Sequence, residues 1–236
     1  MTARELLIAD TFVELAGTLV DDFDLIDFLH ALVERTVALV DADAGGIMLA
    51  DQRGGLEVMA ASTHDTRLVE LFELQHDEGP CLDAFRTGEQ VTKVDEAAMR
   101  GAWPTFTARL SEAGFASAQA IPLRLQTQVI GALNVFRVAP GALSAADMKL
   151  ARALADVATV AIVQQRVLDA REQLAEQLQE ALTSRIRVEQ AKGILAERSG
   201  VGVDAAFTLM RTHARRSGLP LRQVVDAVIS GAVLNL

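Results

Sequence analysis

The side chains best placed to do chemistry in this sequence are cations near its carboxyl end. From residue 183 onward stand eight basic residues, Arg185, Arg187, Lys192, Arg198, Arg211, Arg215, Arg216 and Arg222, against four acidic ones; the rest of the chain holds fourteen basic and twenty-eight acidic. The overall net charge of -10 would by itself argue against a nucleic-acid partner, since an acidic surface repels phosphate. The asymmetry reverses that inference for the carboxyl end, which suits a polyanion. Lys192 with Arg211, Arg215 and Arg216 supplies phosphate-directed charge, and Gly193 lets a nucleic-acid backbone come close to a helix. Arg187 and Arg222 can join that surface, although Arg185 and Arg187 can equally flank a helix seam and pair with acids such as Glu189. Arg198 can simply oppose the C-terminal dipole of a long helix. Phe207 is the sole aromatic residue of this segment; its place on an apolar stripe predicts a core position, so no stacking platform of the single-strand-binding kind is expected. On charge alone, an ordinary solvated helical face explains the same residues.

Other candidate chemistry is thinner. Cys81 is the only cysteine, which rules out an intrachain disulfide and a thiolate-rich metal cage. Its place after Pro80, near a predicted helix start, could lower its pKa, but a buried structural thiol is the plainer expectation. His30, His64, His76 and His213 lack metal-ligand spacing, so no metal is expected. His76, Asp77 and Glu78 could line a ligand pocket or simply form loop surface. No phosphate-loop, dinucleotide or nucleophile-elbow signature is present, and one cysteine without a resolving partner cannot complete an intramolecular disulfide cycle. No catalytic residue and no cofactor are expected.

These residues must be positioned by elements that the hydrophobic pattern outlines. With 236 residues, half of them apolar, the chain can bury one good core and a second, smaller one. Phe12, Leu15, Ala16 and Leu19, then Leu25, Phe28, Leu29, Leu32, Val33 and Val37, recur at helical steps and predict two amphipathic helices separated by "DDFD". Strands are predicted over 45–50 and 56–62, flanking Gly54 and Gly55, and over 118–125 and 129–138, with antiparallel pairing. Between His64 and Gly114 lies a mixed stretch in which Pro80 opens a short helix ending near Gly88. Acidic residues Glu5, Asp10 and Glu14 interrupt the amino-terminal segment where an export signal needs an unbroken apolar run, and the longest apolar run, 157–163, is too short to span a bilayer. A cytoplasmic protein with no membrane partner is the expectation.

From Ala142 to Lys192 there is no glycine or proline, and Ser144 with Asp147 makes a capping start for one long helix. Val160, Val163, Val167, Ala170 and Leu174 keep a 3–4 seam, and Leu174, Leu178 and Leu182 step by four, which implies a stutter in a coiled coil. Such a narrow stripe predicts a parallel homodimer; a helix folded back on its own domain is the alternative. Beyond Gly200, Val203, Phe207, Met210 and Ala214 mark the buried face of a second helix, and Leu221, Val224, Val225, Val228 and Ile229 that of a third, with Pro220 near its first position.

At "RVEQAKGILAERSGVGVDAAFTLMRTHARRSGLPLRQVVDAVI" the chain resembles the ANTAR domain of bacterial transcription antitermination regulators, with Arg187, Glu189, Ala191, Lys192, Gly193, Leu195, Ala205, Ala206, Phe207, Leu209 and Arg211 at the family's spacing. Upstream, "EGPCLDAFRTGEQV", "WPTF", "AGFASAQAIPLRL" and "VIGALNVF" look like a GAF domain, a family of varied ligands. "TKVDE" is similar in part to the motif of cyclic-nucleotide-binding GAF domains but lacks its Asn and Phe. Gly202, Pro220 and Val225 depart from the usual ANTAR residues. The resemblance implies an α+β chain: a GAF-type antiparallel sheet flanked by helices (1–142), a coiled-coil linker helix (143–182) and a three-helix ANTAR bundle (183–236). Together with the homodimer expected from the stripe Val160, Val163, Val167, Leu174 and Leu178, it implies that Arg187, Lys192, Gly193, Arg211, Arg215, Arg216 and Arg222 face paired RNA hairpins in a leader transcript. A small-molecule or protein signal would act at the GAF domain. The competing reading is a DNA-binding regulator, because a basic helix pair can also enter a major groove.

Overall fold

The computed structural model describes residues 2–18, 24–51 and 54–232. The predicted link through Asp21–Phe23, Leu19 and the first part of the hairpin turn at Gln52 and Arg53 lie outside these residues. The described chain forms two compact units, Met1–Arg166 and Val167–Leu236.

The first unit begins with α1 (Ala3–Thr18) and α2 (Leu25–Leu39), the latter started by Asp24, whose carboxylate accepts from the backbone N–H groups of Ile26 and Asp27. That side chain satisfies amide donors a helix start leaves without partners. Five strands follow: β1 (Ala44–Ala50), β2 (Leu56–Ala61), β3 (Val91–Lys93), β4 (Ser117–Leu125) and β5 (Gln128–Arg137), antiparallel throughout in the order β2-β1-β5-β4-β3. The β4–β5 connection is a tight turn in which Gln126 takes a positive φ. The mixed stretch resolves into α3 (His64–His76), α4 (Pro80–Thr87), α5 (Glu96–Ala102) and α6 (Pro104–Glu112). As expected, Pro80 opens α4 and Gly88 closes it in the left-handed region.

Alternation along the central strands separates two faces. Ile47, Leu49, Ile121, Leu133 and Val135 meet Leu29, Leu32 and Val33 of α2, whereas Met48, Ala120 and Ala132 meet Cys81 and Ala84 of α4. Toward one end, Ala118 and Phe136 pack with Val69, Trp103, Phe106 and Leu110. The last element of this unit is the start of α7 (Ala145–Ser199), whose Ala151, Leu154, Ala155, Ala158, Ala161 and Ile162 are buried on the α2 side of the sheet. For these first turns the folded-back alternative describes the chain.

The expected capping start of α7 is present. Ser144 Oγ accepts from the Asp147 backbone N–H at 3.1 Å and its hydroxyl bonds Asp147 Oδ2 at 2.7 Å. Arg4 pairs with Asp147 and donates to Leu39 O at 3.0 Å, so one guanidinium joins the starts of α1 and α7 to the end of α2. Burial works against charge on Asp147, yet the Ser144 hydrogen bond and the Arg4 guanidinium outweigh it and hold the carboxyl below its ordinary range.

Candidate nucleic-acid interface

In the second unit the final turns of α7 join α8 (Val203–Ser217) and α9 (Leu221–Ile229) around Ala191, Leu195, Ala206, Met210, Ala214, Val224, Val225 and Val228. The reversals between helices are made by Gly200 (φ 62°) and Gly218 (φ 66°), a conformation that costs other residues strain. After each, the next amide reaches back five residues, Val201 to Ala196 O and Leu219 to Ala214 O, which satisfies carbonyls left over at the helix ends. Gly202 begins α8 without a side-chain cap, consistent with its departure from the usual residue.

The buried stripe of α8 is rotated from the expected one. Ala206, Met210 and Ala214 step by four and are buried, whereas Val203 is exposed and Phe207 is only half-buried. The two alanines let α8 approach its neighbours closely, and the bulkier Phe207 is left at the edge of the core. There its ring is approached by Lys192 Nζ at 5.7 Å from the centroid and by Arg211 Cζ at 5.8 Å. Cations over an aromatic face are attracted by its quadrupole, so one ring on α8 gathers a cation from α7 and another from its own helix. Lys192 also bonds both carboxylate oxygens of Glu189 at 3.0 Å and keeps only 14% of its side-chain surface exposed. Gly193 beside it is exposed, with open space where a Cβ would stand.

The seven expected RNA-facing residues fall into groups. Lys192 and Arg211 are brought together at Phe207, a residue whose spacing predicts a core position, and Gly193 follows Lys192 in the chain. Arg211 and Arg215 line one shallow groove of about 380 Å³ with Ala214, Gly218, Leu219 and Leu221. Arg216 is exposed on the same helix. Arg187 and Arg222 instead line a separate groove of about 930 Å³ between α7 and α9, shared with Glu176, Glu180 and Asp226. Arg187 Nη2 stands 2.7 Å from Asp226 Oδ1, so its acid partner is Asp226 of α9 and Glu189 is taken by Lys192. Arg198 stands in the last turn of α7, where a cation opposes that helix's dipole, and its Nη1 also donates to Val228 O near the C-terminus of α9 at 3.4 Å.

The expected seam residues lie along α7 in two settings. Val160 is exposed, whereas Val163 is half-buried and packs on the first unit's core. Val167, Leu174, Leu178, Leu182 and Ile186 are all exposed, Leu178 by 62%. From Gln164 to Gln190 no side chain of α7 is buried.

The remaining candidates are structural. Cys81 is fully buried, its thiol lies 3.8 Å from Ala132 O, and burial together with the charges of Glu73 and Glu70 pushes its pKa up, contrary to a reactive thiolate. His76 is exposed, stacked on Phe72, and Glu78 caps α6 by accepting from the Thr105 and Phe106 amides. Among the described residues no group of His, Cys, Asp and Glu is arranged to hold a metal ion, and no helix is long and apolar enough to cross a membrane.

Comparison with known families gives two matches, the GAF domain over residues 24–163 and the ANTAR domain over residues 176–229. Among solved structures the chain is similar to the GAF domain of a phosphoenolpyruvate-protein phosphotransferase from Acinetobacter, at 19% identity and TM-score 0.53 over 71% of this chain and 97% of that one. It is also similar to the phycoerythrobilin-bound GAF domain of a cyanobacterial phytochrome, at 19% identity and TM-score 0.53 over 72% and 99%. A third likeness is to free methionine-R-sulfoxide reductase from Neisseria meningitidis, at 18% identity and TM-score 0.54 over 71% and 95%. Identities this low establish the fold of the first unit and nothing of its ligand. No curated protein matches the chain.

Proposed function

The chain belongs to the GAF-domain family and continues into an ANTAR domain, and on that premise we propose that it is a homodimeric, signal-responsive antitermination regulator whose ANTAR units grip paired hairpins of a leader transcript. ANTAR domains are RNA-binding antitermination modules and GAF domains are sensory; both are regulatory, and in this reading the chain has no catalytic site and works in the cytoplasm without a cofactor.

The observation that carries the reading is the convergence of Lys192 and Arg211 on Phe207, beside the open backbone at Gly193. Arg211 meets a phosphate of a tight loop directly, and Lys192 does so by exchanging its Glu189 carboxylate for phosphate, while a splayed base lies against the guanidinium plane or the exposed part of the ring; hairpin loops offer such bases and a paired stem does not. Arg215 and Arg216 extend the field along α8. Arg187 and Arg222 stand among three carboxylates and contribute less.

Pairing of hairpins requires pairing of modules. The exposed run Val167, Leu174, Leu178, Leu182 and Ile186 on one uninterrupted helix supports a two-chain seam, to which Val160 and the outer side of Val163 add at its amino end. A signal at the GAF unit, small molecule or protein, shifts the equilibrium only if it binds two arrangements of that seam unequally.

The test is a gel-shift titration with a two-hairpin leader RNA, either hairpin alone, and duplex DNA at one salt concentration. The reading expects the two-hairpin RNA to bind far tighter than either hairpin and duplex DNA to compete poorly. Equal competition by duplex DNA would replace it with a DNA-binding regulator.

A further inference from the structure

The first unit buries two carboxyls that the RNA reading does not use. Glu70 and Glu73, on successive turns of α3, have no solvent exposure. Glu73 Oε1 accepts from the amides of Cys81 at 2.7 Å and Leu82 at 3.0 Å, at the start of α4. Asn134 of β5, also fully buried, directs its Nδ2 at both acids, 3.4 Å from Glu73 Oε2 and 3.5 Å from Glu70 Oε1. Gly46 of β1 makes the room, since a Cβ there would run into the Glu70 carboxyl.

The hydrogen-bond inventory of this cluster is short of donors. Glu70 Oε2 and Asn134 Oδ1 are both buried, both acceptors, and neither has a donor. A buried acceptor without a donor is destabilising, and a proton is the smallest ligand that relieves the deficit. The charges acting on the cluster do not supply the balance. Arg67 on α3 favours ionisation of Glu70 and Glu73 opposes it; Asp83 on α4 opposes ionisation of Glu73, and the titratable thiol of Cys81 on α4 is itself raised by burial and by both acids. Gly46 of β1 and Asn134 of β5 carry no charge, and the buried residues of β2 (Ala60) and α6 (Phe106, Thr107, Leu110) carry none either.

We propose that Glu70, Glu73 and Asn134 form a proton-binding site, loaded at neutral pH and emptied by alkalinisation, and that emptying it loosens the start of α4 from the sheet. Burial, above all, raises both carboxyls: Glu70 well above its ordinary range, further raised by Glu73, and Glu73 up to about 8 despite the three hydrogen bonds it accepts. Glu73, which accepts from two amides and from Asn134, is the carboxyl better supported in its charged form. A carboxylate in this apolar slot regains water only if α3 and the first turn of α4 move off β5, and Cys81 and Leu82 move with it because Glu73 holds their amides. The sign follows: a carboxyl raised in the folded state stabilises the fold fully below its unfolded pKa, and that stability is lost as pH rises toward the folded value. Each such group lowers the folding constant about tenfold per pH unit between those limits.

This gives the sensory unit a ligand class, the hydrogen ion, and depends on the sensory reading only for its use. Its test involves no RNA, so the two can fail separately. Trp103, the only tryptophan, donates from Nε1 to Asp83 Oδ2 on α4 at 3.0 Å and reports on that helix by fluorescence. Titrating the full chain from pH 6 to 9.5 should show a reversible one-proton change centred near 8, absent in Glu73→Gln, which keeps an acceptor for the α4 amides but cannot ionise. Carboxyl carbon NMR of the unmodified chain guards against misfolding of the variant and should show two glutamate signals that have not titrated by pH 6. If every glutamate signal titrates below pH 6, or if Glu73→Gln keeps the wild-type transition, the site does not exist.

Discussion

Arg211→Ala should weaken RNA binding where Arg187→Ala, which removes the same formal charge, should not. The difference comes from their neighbours. Arg187 is already committed to Asp226 at 2.7 Å and shares its groove with two more acids, so a phosphate arriving there must displace a carboxylate and approach others. Arg211 has no ion pair among the described residues; it lies against Phe207 and lines a groove without acids. One neutralised phosphate contributes a salt slope of about 0.7 to 0.9 in log K against log salt. Losing that contact together with a stacking partner should cost about 1–3 kcal/mol, roughly a 5- to 150-fold loss of affinity. The assay is gel shift or fluorescence anisotropy with the two-hairpin RNA at four or five salt concentrations, comparing slopes as well as affinities. Arg211→Ala is expected to flatten the slope by about one and Arg187→Ala to leave it unchanged, the exposed Arg187–Asp226 pair contributing under about 1 kcal/mol to folding. Equal losses in the two variants would refute the reasoning, because they would show that charge acts regardless of local pairing.

If the proposed dimer forms through this seam, Leu178→Asp should yield a monomer in sedimentation and abolish the advantage of two-hairpin over single-hairpin RNA, while single-hairpin binding survives; a dimer that persists would remove the seam from the account. Asp147→Asn should lower stability at pH 7 and flatten its decline in acid. The Asp147 carboxyl is held low in the fold, so its contribution is present above the unfolded pKa of about 4 and lost as pH falls through the folded value, which urea unfolding between pH 7 and 3 will read. Cys81 should resist alkylation by iodoacetamide at pH 8 in the folded chain and react once urea unfolds it, given its complete burial and raised pKa.

What the hydrophobic pattern made legible, and what it hid, follow from the same physics. The four long strands, α2 and the uninterrupted α7 announce themselves because their buried faces are apolar at a period of two or near 3.6. Helix α3 does not, because its buried residues are Thr66, Val69, Glu70 and Glu73. Three of those four are polar, so a periodicity search sees a solvated segment where the fold has a core helix. The information was present in another form, as glycines at 46 and 79 opposite two glutamates, but nothing local says that those residues meet. Helices α5 and α6 are too short for a stripe to register and are fixed by Asp95, Pro104 and Glu78 at their starts.

The candidate interface divides along a similar line. Eight cations in one segment stand out at once, and their count sets the carboxyl end apart from an otherwise acidic chain. Which of them face a ligand depends on acids and rings brought from other helices, which spacing along one helix does not reveal. Asp226 lies thirty-nine positions from Arg187 and pairs with it; Phe207 lies fifteen from Lys192 and has both Lys192 and Arg211 beside its ring. The rotated stripe of α8 is the step that connects these facts. With Ala206, Met210 and Ala214 turned inward, Phe207 sits at the edge of the core, and only from the edge can it gather two cations beside the exposed backbone of Gly193. Had Phe207 occupied the centre, as its spacing suggested, Lys192 would retain Glu189 alone, and the segment would be the solvated basic face that its charge by itself describes.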